Sequence, residues 1–105
     1  GTLTNWGAGA TATVTGKDMA CRVRVQAGTG PAADPTFTLT FNSAYGSTPI
    51  VIRQYATVND AAIEGCELRI TAQSTTAISI QAFKGAGFTP TNGLSYDFYF
   101  IFVDY

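Results

Sequence analysis

The sequence has no histidine, a single methionine, a single tryptophan and two cysteines, and only 12% of its residues carry charge. Without histidine there is no Ser-His or Cys-His nucleophile pair and no imidazole metal ligand. Six basic and seven acidic residues leave a net charge of −1. Nucleic-acid binding needs a basic footprint and anionic lipid needs a polybasic patch, so neither partner class fits. No apolar run is long enough to cross a bilayer as a helix, so membrane insertion is not expected. No segment of a dozen residues keeps a 3.6-residue period, and no internal repeat is visible. Neither a signal peptide nor a lipidation motif is seen, and a chain starting at Gly1 rather than Met reads as a piece of something longer.

What the sequence does contain is alternation. Residues 10–15, 20–27, 36–42, 50–56, 66–72, 76–83 and 95–105 each read as strands, separated by Gly- and Pro-containing turns. Thr36 to Asn42 is the cleanest case, with Phe37, Leu39 and Phe41 on one parity and Thr36, Thr38 and Thr40 on the other. Seven strands at regular spacing in 105 residues predict one all-β domain, an antiparallel β-sandwich of jelly-roll-like or Ig-like kind. Residues 1–9 read as a Gly-rich lead-in segment and residues 10–105 as the domain. Trp6 would anchor that segment to the sandwich or, less in keeping with a lone tryptophan, serve as a binding platform.

One strand breaks the pattern. In Ser95–Tyr105, Tyr96, Phe98, Phe100 and Phe102 occupy one parity, while Tyr99, Ile101, Val103 and Tyr105 occupy the other. Successive side chains point to opposite faces, so this strand is apolar on both. One face can fill the core. The other needs a second cover, and a chain this short has little left to provide it, which points to self-association through Tyr99, Ile101, Val103 and Tyr105. Ile50-Val51-Ile52 shows the same two-sided character.

Antiparallel order also maps the loops. The turns at 16–19, 43–48 and 73–75 fall at one end of the sandwich, and the longer loops at 28–35, 57–65 and 84–94 fall at the other. Long loops gathered on a rigid scaffold are a usual place for binding. The first strand then starts at the long-loop end. Residues 1–9 must therefore either run back along the domain, about 30 Å if extended, or leave the long loops facing whatever precedes them. Cys21 and Cys66 match no metal or redox spacing. Two readings stay open for them: buried thiols packed as small hydrophobes, or a disulfide between strands.

The order of Ala12–Val25, Gly28-Thr29-Gly30-Pro31 and Thr36–Ile52, closed by an aromatic strand, resembles the C-terminal head domain of tailed-bacteriophage tail fibres and receptor-binding proteins. The resemblance implies a homotrimeric β-sandwich knob on a virion, extracellular when functional, that attaches to a bacterial surface glycan or protein and follows a fibre shaft at residues 1–9. Cys21 departs from that pattern, where a small residue such as Gly is expected. For a glycan the useful groups are an aromatic ring and surrounding Asn, Asp, Arg or Lys. The long-loop end offers Asn59, Asp60, Glu64, Lys84, Phe88 and Asn92, with Tyr55 close by. The alternative is a structural trimerisation cap of a fibrous or collagen-like protein, without its own ligand. Glycoside hydrolysis needs two facing carboxylates, for which Asp60 with Glu64, or Asp34 with either, would serve. Seven scattered acids are more simply solvated, so no enzyme, metal or cofactor is expected.

Overall fold

The structure, a computed structural model, describes residues 3–17, 19–55, 63, 65–85 and 87–104. Within these residues the chain forms β1 (Leu3–Thr4), β2 (Thr11–Lys17), β3 (Ala20–Gln26), β4 (Thr36–Thr40), β5 (Ile50–Tyr55), β6 (Glu67–Gln73), β7 (Ala77–Phe83) and β8 (Ser95–Val103). They make two four-stranded antiparallel sheets, ordered β1-β4-β7-β6 and β2-β3-β8-β5. Two connections, β2–β3 and β6–β7, are hairpins within a sheet, and the other five cross from one sheet to the other.

Each of the seven expected strands is present, and Leu3–Thr4 adds an eighth beside β4. The first hairpin differs from its expected bounds. Gly16 and Lys17 belong to the ladder, paired with Cys21 and Ala20, so the turn is shorter than 16–19. Glycine is required there because the backbone sits at φ 119° and a Cβ would lie 2.5 Å from the Ala20 carbonyl oxygen. In β6 the register shifts between Ile70 and Ala72, a bulge that interrupts the strand's alternation.

The core follows from the alternation. Val23 and Val25 of β3, Phe37 and Leu39 of β4, Leu68 of β6, Ile78, Ile80 and Ala82 of β7, and Tyr96, Phe98, Phe100 and Phe102 of β8 are all buried. Rings form a continuous spine through it, from Phe88 to Tyr96, Trp6, Phe98, Phe37, Phe100, Phe102, Phe41 and Tyr45, with neighbouring centroids 4.9 to 6.2 Å apart. Most contacts are tilted or edge-on, the arrangement favoured by the ring quadrupole.

Of the three long loops, 28–35 and 84–94 meet at one end, as the alternation requires. At the long-loop end Asp34 sits at φ 51° and ties 28–35 to 84–94. Its Oδ1 accepts from the amides of Lys84 (3.3 Å) and Phe88 (3.1 Å), and its own amide donates to the Phe88 carbonyl (2.6 Å). Residues 3–9 run along the domain toward this end, since Leu3 pairs with Phe37 and Thr4 with Thr36. Trp6 then plugs the core at 1% exposure. The Gly28 amide donates to the Trp6 carbonyl, and a Cβ at Gly28 would lie 2.0 Å from the Ala8 carbonyl oxygen, so only glycine allows this approach. Trp6 is therefore an anchor and not a surface platform. No disulfide joins the cysteines: Cys21 lies near the short-turn end of β3 and Cys66 just before β6 at the long-loop end. They are thiols, and burial pushes the Cys66 pKa up.

Candidate functional site

The two sheets differ on their outer faces. On β4 the outer positions Thr36, Thr38 and Thr40 carry hydroxyls, and Thr38 Oγ1 shares a hydrogen bond with Ser79 Oγ of β7 at 2.9 Å. The outer face of β2-β3-β8-β5 is different. Register places Ile50 opposite Val103, Ile52 opposite Ile101, Ala20 opposite Ile101, and Tyr99 between Arg22 and Gln54. The exposures are 54% for Ile50, 56% for Ile52, 44% for Tyr99, 50% for Ile101 and 39% for Val103. Together they leave on the order of 400 Å² of apolar side chain in water, the size at which a monomer's largest patch is often functional. Met19, at the adjoining turn, is 70% exposed.

The patch has a polarity along the strands. Its short-turn half is aliphatic. At its middle lies a shallow depression of about 510 Å³ over Tyr99 and Ile101, bounded by Thr15, Arg22, Ile52 and Gln54. Toward the long-loop end the face becomes ionic. Arg24 lies directly opposite Asp97 and grips both carboxylate oxygens, at 2.7 and 2.9 Å. That hydrogen bonding holds the Asp97 carboxyl below its ordinary pKa and raises Arg24. With Asp97 engaged, Arg22 Nε is buried without an acceptor among the described residues.

The expected binding residues fare unevenly. Phe88 is a correction: its ring is fully buried against Tyr96, with centroids 5.7 Å apart, and cannot stack on a ligand. The aromatic pattern around Phe88 could not distinguish a platform from a plug, because the loop folds back through Asp34. Lys84 and Asn92 are at the long-loop end, and Asn92 Oδ1 accepts from the Gly30 amide at 3.3 Å. Tyr55 closes β5, paired with Phe98. Asn59, Asp60, Glu64 and Tyr105 lie outside the described residues, as does the Tyr55 side chain. Asp34 is a structural acid whose Oδ1 accepts from two loop amides. Ile50 and Ile52 are part of the exposed patch without having been chosen for it, although the two-sided run Ile50-Val51-Ile52 carried the signal.

Neither a protein-family model, nor a curated protein, nor a solved structure matches the chain.

Proposed function

We propose that this chain is the head of a tailed-phage fibre, a jelly-roll-like knob that trimerises and attaches to a glycan on the bacterial surface. The observation that carries the reading is the row Ile50, Ile52, Tyr99, Ile101 and Val103, apolar and open to water in a single copy. Three copies turned toward a common axis would remove that row from water. At about 25 cal/mol per Å² the gain is several kcal/mol per copy before the entropy of association is subtracted. The direction of Leu3–Thr4 supports a distal long-loop end: a shaft leading into Leu3 would approach from the short-turn side, where the aliphatic half of the patch lies. Lys84 and Asn92 would then be the described polar groups nearest the host.

A second reading, a trimerisation cap with no ligand, is favoured by one finding. With Phe88 buried, the long-loop end has one ring fewer for a sugar face to stack on. The two readings separate in one experiment. The purified domain is sized by light scattering and then applied to a glycan array and to host cells. Trimer with saturable binding supports the head. Trimer without binding at high micromolar concentration supports the cap. A strict monomer removes both.

A further inference from the structure

Arg22 lies in the middle of the outer face of β2-β3-β8-β5. By register Thr15 is on one side of it, Tyr99 on the other, and Gln54 beyond Tyr99. All four border the depression over Tyr99 and Ile101. The row is internal to the sheet, flanked by Lys17, Ala20, Ile101 and Ile52 on one side and by Thr13, Arg24 and Asp97 on the other. Arg22 Nε is nonetheless buried and has no acceptor. A desolvated donor on a charged group is costly to leave unpaired.

The face cannot supply the acceptor itself. By register its charged outer positions are Lys17, Arg22, Arg24 and Asp97, three cations to one anion among the described residues. Both Asp97 oxygens accept from Arg24. Assembly about a three-fold axis brings the same face from every copy, and with it the same surplus of positive charge. It also strips water from the rest of Arg22, which lies opposite Tyr99 in the row to be buried. An unpaired charge in a dry interface opposes association.

We propose that the trimer put forward above closes around bound oxyanions, of carboxylate or phosphate type, held by Arg22 in the depression; this reading stands only if the trimer does. The guanidinium favours that class, because Nε and one Nη present parallel N–H donors that match two oxygens of one anion. Tyr99, Gln54 and Thr15 line the same depression and add neutral donors. At about 510 Å³ it has room for the anion and its remaining water.

The test is light scattering over a dilution series, which reads the concentration at which half the protein is assembled. Sodium chloride holds the ionic strength constant, so that screening does not change. Inorganic phosphate is one probe and acetate the other, which separates a phosphate-type anion from a carboxylate. At about 10 mM of the better probe, the wild-type midpoint should fall at least about tenfold below its value in chloride alone, because a ligand held only by the assembled form favours it by mass action. Arg22→Gln removes the charge and keeps a donor. Its midpoint should be the same in all three salts and, in chloride alone, lie below that of wild type; thermal unfolding checks that it stays folded. A wild-type midpoint equal in all three salts overturns the oxyanion and leaves the trimer standing. So does an Arg22→Gln midpoint that moves as far as wild type, or one above wild type in chloride, which would place the acceptor on a neighbouring copy. Single-copy mass in every salt overturns trimer and oxyanion together.

Discussion

Replacing Ile52 and Ile101 together by threonine separates the interface from the fold. The two are cross-strand partners on β5 and β8, 56% and 50% exposed. In an isolated copy, threonine keeps the β-branched shape that suits a strand, and the lost pair contact costs roughly 0.2–1 kcal/mol. In a trimer each substitution removes apolar area that the interface would bury and puts a hydroxyl in its place. Taking about 1 kcal/mol for each of six side chains gives about 6 kcal/mol, or roughly four orders of magnitude in the assembly constant. The assay is light scattering over a dilution series, with thermal unfolding alongside. Wild type should hold a multiple of the 11.0 kDa chain mass into the low micromolar range. The double variant should fall to single-copy mass and still unfold cooperatively. Wild type at single-copy mass throughout, or a variant that assembles as well as wild type, would refute the reasoning.

Three further outcomes follow from named contacts. Phe98→Ala should destabilise the fold by about 3–5 kcal/mol in denaturant melts, because a fully buried ring touching Trp6 and Phe37 would leave a cavity at the centre of the spine. Asp34→Ala should loosen the long-loop end and cost about 1–3 kcal/mol, since it orphans the Lys84 and Phe88 amides at a residue held at φ 51°. Asp34→Asn, which keeps an acceptor and tolerates that φ, should recover most of the loss, and equal melts for the two would count against the role given to Oδ1. For Asp97 the folded pKa lies below its ordinary 3.8, so its contribution is present above that pH and is lost as pH falls through the depressed value. The stability gap between wild type and Arg24→Ala should be flat near neutrality, close below about pH 4 and shrink with salt, because Arg24 is half exposed; a gap that widens in acid would reverse the assignment.

Much of this architecture is legible in the sequence because a sandwich encodes itself locally. A period of two decides which side of a strand faces the core, so Phe37 and Leu39, or Tyr96 through Phe102, declare themselves without any knowledge of their neighbours. The same rule exposed Tyr99, Ile101 and Val103 as a surplus face. It failed where a residue's surroundings come from distant chain. Phe88 sits in a Gly/Pro loop with no period, and its burial depends on Asp34, far away in sequence, capturing two amides of that loop. The lead-in residues carry too short an alternation to announce β1.

Alternation alone therefore determined the class of fold, the buried rows of β3, β4, β7 and β8 and the excess of apolar surface on the last one. The tertiary structure decided which strands neighbour one another, and with that where the excess collects. Ile50 and Ile52 meet Ile101 and Val103 only because β5 crosses between sheets to lie beside β8. Val14 is 52% exposed because β2 lies at the edge of its sheet. Both are matters of long-range pairing, and pairing is set by the packing of the whole chain, which no local period can specify.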